Sequence, residues 1–154
     1  YGGFSTDFSY KGFTLNAVFN YSYGAKKISP YYESLASSVG LSMATPDLKD
    51  RWTPDNTGAK FPRVVTNATD YNRYSPSESD FTLQNASYLR LATLTLAYNF
   101  PSSMLAKAKI SNLRLYVTGS NLFCATKYKG FDPETGDWGY PPTKMYVFGL
   151  NFSF

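Results

Sequence analysis

The chain has 154 residues, a net charge of +4 and an aromatic content of 18%, with 14 Tyr and 12 Phe. It has no histidine and a single cysteine, Cys124, which excludes Ser-His-Asp and Cys-His catalysis, histidine-ligated zinc, an intrachain disulfide and a cysteine metal cage. The positive charge is spread thinly, with Lys26-Lys27 and the Lys127/Lys129 pair as its densest points, so nucleic-acid binding is not expected.

The chain opens Tyr1-Gly-Gly-Phe, with neither an initiator methionine nor a signal peptide, and reads as a piece of something longer. No apolar run reaches the eighteen or so residues of a membrane-spanning helix. From Phe4 to Tyr10, large and small polar residues alternate with the period of a strand. Lys11-Gly12 then reads as a two-residue turn, and Phe13 to Tyr23 alternates again. Such a turn sets Tyr10 opposite Phe13, Phe8 opposite Leu15, Thr6 opposite Ala17 and Phe4 opposite Phe19, so every pair falls on one apolar face. The other face reads Ser, Asp, Ser, Thr, Asn, Asn, Ser, with Val18 as its one apolar member.

The alternation breaks from Gly24 to about Ala86, far beyond an ordinary connection. Inside this stretch, Pro30 to Val39 predicts a short helix with Ser29 as N-cap and Pro30 at the first helical position. Asp50 to Arg63 is rich in turn formers, and 67–80 is polar with Tyr71 and Tyr74 interspersed. A third strand is expected over 87–100. Its Leu94, Leu96, Tyr98 and Phe100 share one face, while Leu89 and Leu91 fall on the other unless a bulge changes parity. Pro101 to Ile110 is a short, helix-compatible connection, and 112–123 forms a fourth strand. A second loop, 124–143, is broken by Gly130, Pro133, Gly136, Gly139, Pro141 and Pro142. The fifth strand, 145–154, places Tyr146, Phe148, Leu150, Phe152 and Phe154 on one face. Short turn, long loop, short connection, long loop is the layout of an outer-membrane barrel. Alternation alone leaves a soluble, secreted β-sandwich binding glycans through loop aromatics as the other reading.

The run Asp50-Arg-Trp-Thr-Pro-Asp-Asn-Thr, then Phe61-Pro-Arg63, Ser87-Tyr-Leu-Arg-Leu91 and Leu94-Thr-Leu-Ala-Tyr-Asn99 resembles the carboxyl-terminal part of SusC/RagA-type TonB-dependent outer-membrane transporters. So do Ile110 to Leu122, Lys127-Tyr-Lys-Gly-Phe-Asp-Pro-Glu134 and the ending Phe148 to Phe154, with Cys124 and Ala125 departing from a hydroxyl-rich turn. The resemblance implies an all-β fold: a transmembrane antiparallel β-barrel of the bacterial outer membrane, of which this chain supplies only the C-terminal strands and long extracellular loops. It further implies a plug domain outside this chain, energisation by the TonB complex through that missing part, a SusD-like surface lipoprotein, and import of oligosaccharides or peptides. The aromatic row ending at Phe154 resembles the terminal assembly signal of such barrels.

Trp52, Tyr71, Tyr74 and Trp138 lie in the expected external loops and are candidates for substrate or partner contact, although packing of the loops on themselves is the favoured reading for each taken singly. Arg51, Trp52 and Pro54 are expected to fold their loop. Asp132, Glu134 and Asp137 lack the dense alternation of a calcium loop and read as a solvated turn. No phosphate loop, dinucleotide fingerprint, cofactor motif or enzyme constellation is found.

Overall fold

The computed structural model describes residues 1–36, 44–65, 80–106 and 109–154. The chain divides into two compact units, one of Tyr1–Tyr23, Ser87–Thr126 and Pro142–Phe154, the other of Gly24–Ala86 and Lys127–Pro141.

The first unit is a five-stranded antiparallel sheet. Its strands are β1 (Gly2–Tyr10), β2 (Phe13–Ser22), β5 (Tyr88–Asn99), β6 (Asn112–Thr126) and β7 (Met145–Ser153), in the spatial order β1-β2-β5-β6-β7. The β1–β2 pairing is the one the two-residue turn dictates, with Phe4 opposite Phe19 and Tyr10 opposite Phe13. Lys11 and Gly12 both have positive φ, 45° and 88°, the geometry whose twist matches that of the flanking strands. A short helix, α2 (Ser102–Leu105), lies in the β5–β6 connection.

A bulge resolves the parity conflict in β5. Val18 pairs with Thr93 but Phe19 pairs with Leu91, which leaves Ala92 as the extra residue. On the other side, Leu91 faces Phe123 and Thr93 faces Ser120, so Ala92 lies against Asn121 and Leu122. Asn121 takes the left-handed conformation (φ 53°) that asparagine tolerates better than most residues. The extra residue returns Leu89 and Leu91 to the face of Leu94 and Leu96.

One apolar face therefore runs unbroken across the sheet. In register lie Phe8, Leu15, Leu96, Val117 and Phe148, with Phe13, Tyr98, Leu115 and Leu150 in the next row. Phe4 stacks on Phe19 at 4.8 Å between centroids, and Phe13 meets Tyr98 at 4.5 Å. The opposite face carries Asp7, Asn16, Thr95, Thr118 and Asn151, tied in places by side-chain bonds: Asn16 donates to Asp7 at 2.8 Å, and the Thr95 and Thr118 hydroxyls lie 2.9 Å apart. Tyr116 lies over its cross-strand partner Gly149, occupying the space a side chain there would fill.

On the three inner strands the exposure is inverted relative to a soluble sheet, while on β1 and β7 both faces are exposed. Phe8 is 63% and Phe148 78% exposed, whereas Thr14, Asn16 and Asn20 on the polar face are partly buried. Among the described residues the only other sheet is a two-stranded ribbon of β3 (Lys26–Ile28) and β4 (Leu83–Asn85), three residues per strand.

The second unit contains that ribbon, helix α1 (Pro30–Ala36), a 3₁₀ turn at Pro46–Asp50 and another at Asp80–Thr82. Ser29 caps α1 as expected, its hydroxyl accepting the Tyr32 N–H at 3.1 Å and its carbonyl the Glu33 N–H at 2.8 Å. The expected helix continued to Val39; its positions beyond Ala36 lie outside the described residues. Ala36, Leu48 and Phe61 form a small core, flanked by Tyr32 and Phe81.

Gly12 gives the first prediction. A Cβ there would sit 2.7 Å from the Asn99 carbonyl oxygen, on a backbone that disfavours side chains. Gly12→Ala is expected to destabilise the folded form by about 1–2 kcal/mol, read as a lower unfolding midpoint in denaturant.

Candidate functional site

Two arrangements carry functional chemistry: the two-faced sheet, and a set of polar centres in the loop unit.

On β7, Tyr146, Phe148, Leu150 and Phe152 all project from the apolar face and are exposed, with Phe154 beyond the strand end 92% exposed. Phe152 and Phe154 contact one another at 5.7 Å. The five strands span nine to fifteen residues, and a tilted strand of roughly nine to eleven crosses the hydrocarbon of a bilayer. No described helix is long and apolar enough to cross a membrane, which has no bearing on crossing by strands.

In the loop unit, carboxylates organise the backbone. Asp50 closes the segment containing Trp52: its side chain accepts from Asn56 Nδ2 at 3.3 Å and from the Lys60 N–H at 3.4 Å. Its carbonyl accepts the Phe61 N–H at 3.0 Å, and Trp52 N–H reaches the Phe61 carbonyl at 2.8 Å. Arg51 donates to the Leu48 carbonyl at 3.3 Å. Arg51 and Trp52 thus hold their loop through local bonds, and the Trp52 ring is 39% exposed.

Asp132 is buried rather than part of a solvated turn. Its Oδ1 accepts the Glu134 and Thr135 N–H groups at 2.9 and 3.0 Å, and its carbonyl accepts that of Gly136. The carboxylate is the turn's internal acceptor, a use its spacing does not distinguish from solvation. Asp137 accepts from the Ser29 hydroxyl, from the Tyr31 and Phe131 N–H groups at 3.2 and 3.0 Å, and from the Tyr128 hydroxyl at 3.3 Å. Burial, chiefly, raises the Tyr128 phenol above its ordinary value. No cluster of three or more metal-ligating side chains occurs among the described residues.

The third centre joins Asp47, Tyr32 and Lys129. Lys129 Nζ forms an ion pair with Asp47 Oδ2, which also accepts the Tyr32 hydroxyl at 2.5 Å. The ammonium lies 5.0 Å from the Tyr32 ring centre. Bonds from Lys129 and then Tyr32 hold the Asp47 carboxyl below the usual range, and the same carboxylate raises the Lys129 ammonium. Burial, then the bond to Asp47, raises the Tyr32 phenol.

Beside this centre is a cavity of about 220 Å³. Phe61, Phe81 and Leu83 give it an apolar wall, and Lys60, Lys127 and Lys129 contribute cations. Neither Trp52 nor Trp138 lines it, and Trp138 is 89% exposed. Tyr71 and Tyr74 lie outside the described residues. The Lys127/Lys129 pair is visible in sequence as the local concentration of charge. The roles of Asp47, Tyr32 and Lys60 are not, because they join it only through long-range folding.

The Asp47–Lys129 clasp has a definite pH window. The Asp47 contribution is complete above the ordinary carboxylate range and is lost as pH falls through its depressed value. The Lys129 contribution is complete below the ordinary lysine range and is lost as pH rises through its raised value. Amide exchange at Tyr32 and Leu48 in the full-length protein is expected to report no clasp opening across neutral pH. Asp47→Asn should speed it at pH 7, by less than ~1 kcal/mol of local stability because both side chains are partly solvated.

No protein-family model matches the chain. The chain is 33% identical, over 99% of its length, to TonB-dependent receptor P3 of Formosa agariphila, and 31% identical over 80% of its length to TonB-dependent receptor SusC of Bacteroides thetaiotaomicron. It spans only 16% and 12% of those proteins. Among solved structures, it superposes on the RagAB peptide transporter with a TM-score of 0.81 and 37% identity, covering 99% of this chain and 17% of that one. The RagAB peptide importer in its 'closed-closed' state gives a TM-score of 0.78 with 38% identity, again over 99% of this chain and 17% of that one.

Proposed function

We propose that this chain, a relative of the SusC/RagA-type TonB-dependent receptors, forms part of the wall and outer loops of an outer-membrane importer. The observation that carries this reading is the inverted sheet. Its aromatic and aliphatic face is continuous and largely exposed, and on the inner strands its polar face is partly buried. In lipid every backbone polar group must be paired within the protein, which a closed sheet achieves and an open one does not. The free edges of β1 and β7 then pair with further strands, and the apolar face meets acyl chains. The polar face lines the interior.

The loop unit faces the exterior in this reading, where a SusD-like lipoprotein docks and substrate enters. The exposed rings of Trp52 and Trp138 are offered for such contact, together with Tyr71 and Tyr74 of the same loops. Tyr146, Phe148, Leu150, Phe152 and Phe154 form the row by which the barrel is recognised for assembly. The substrate is an oligosaccharide or a peptide; likeness to a peptide transporter supports the peptide. Energy comes from the TonB complex, acting on a plug outside this chain.

The faces provide the test. In the full-length protein expressed in its own outer membrane, Leu96→Arg places a charge on the apolar face of β5, where the cost is about 2–4 kcal/mol at the bilayer midplane and less toward the interfaces. Thr118→Arg places it on the opposite face. Leu96→Arg is expected to cut the folded, heat-modifiable population in the outer membrane and Thr118→Arg to leave it nearly unchanged. Equal tolerance of both, or the reverse order, would overturn the proposal.

A further inference from the structure

We propose that the cavity of the loop unit is a subsite for an acidic peptide, taking one carboxylate-bearing residue beside an apolar neighbour. The proposal rests on the importer reading and names the substrate chemistry it favours. The lining separates into two parts. Phe61, Phe81 and Leu83 form the apolar part, with the Phe61 and Phe81 rings edge to face at 5.2 Å. Lys60, Lys127 and Lys129 form the cationic part.

The charges do not balance. Asp47 pairs with Lys129 and also feels the charge of Lys60, while Lys127 makes no ion pair among the described residues. With three lysines and no carboxylate among its lining residues, the cavity attracts an anion and repels a metal ion.

Gln84 contributes a neutral polar group to the lining. Its Oε1 accepts the Lys129 N–H at 2.8 Å, which orients the amide. Its Nε2 is buried and has no partner among the described residues. That nitrogen is closed off from solvent, so the part Gln84 plays in the lining is to hold the Lys129 backbone in place.

The volume of about 220 Å³ holds one acidic side chain or chain end with part of a neighbour. The apolar wall selects between anionic polymers. Phe61 is almost fully buried and in edge contact with Phe81, and the Tyr32 ring, which also lines the cavity, has the Lys129 ammonium over it, so none of the three offers a broad open face on which a sugar would stack. Leu83 extends the wall with aliphatic surface suited to a Leu or Phe side chain.

The test is calorimetric binding to the detergent-solubilised full-length protein, with a Leu-Glu tetrapeptide, its Leu-Gln counterpart and a uronate oligosaccharide as probes. Wild type is expected to prefer the Glu peptide by about five- to tenfold, the scale of two partly exposed charge contacts. Lys60→Gln/Lys127→Gln should erase that preference while binding the Gln peptide as wild type does. Lys60→Arg/Lys127→Arg should retain it, and unchanged heat-modifiable mobility would show that both variants fold. Equal binding of the two peptides by wild type, or a preference that survives the double Gln substitution, would overturn the subsite and leave the importer reading standing. Lysine-dependent binding of the uronate alone would overturn the peptide assignment. Binding of none of the probes would overturn the subsite, whereas loss of the importer reading itself would show in the membrane assay of the Leu96 and Thr118 variants.

Discussion

The antiparallel ladder through β2, β5 and β6 sets the geometry on which the rest of the sheet depends, because strand side chains alternate with a period of two. A one-residue slip anywhere would send half of the apolar row to the polar face. Ala92 is the residue through which β5 avoids this: it adds one position between Leu91 and Thr93, and Asn121 bends β6 to match. The result is a face on which rings and aliphatic chains follow one another from β1 to β7, with Phe4 on Phe19 and Phe13 on Tyr98 as local contacts.

That face has consequences for the medium around it. A sheet in water buries its apolar side and exposes its polar side, and on the inner strands here the exposure is reversed. Hydrophobic burial within the chain therefore contributes little to the sheet, whose cohesion comes from backbone hydrogen bonds, cross-strand pairs and polar ties such as Thr95 with Thr118. Apolar surface on this scale marks a face made for contact, with lipid or with further protein.

The loop unit is held differently. Its hydrophobic core is small, so carboxylates and capping side chains stand where apolar packing would otherwise serve. Asp50, Asp132 and Asp137 each gather several backbone or side-chain donors, and Ser29 both caps α1 and donates to Asp137. Asp47 joins the 3₁₀ turn to Lys129 across a sequence separation of 82. This arrangement leaves a cavity with a greasy wall beside cations, because the donors and acceptors that shape the backbone are spent elsewhere.

What the sequence by itself determined is what local chemistry controls. Alternation identifies the long strands, Lys11-Gly12 sets the register of the first hairpin, and Ser29-Pro30 starts the helix, since each depends on residues within a few positions of one another. The motifs of Asp50 to Arg63 and Ile110 to Leu122 likewise carry the family likeness without reference to folding. The three-residue strands β3 and β4 escape such reading, as they hold too little alternation to register and pair only with each other across a long insertion. Parity in β5 is ambiguous for a different reason: whether Ala92 bulges depends on its partners in β2 and β6. The grouping of Tyr32, Asp47, Lys60, Gln84, Lys127 and Lys129 was decided only by the tertiary structure. Distant segments meet there because backbone hydrogen bonds and a small apolar core close the loops upon one another.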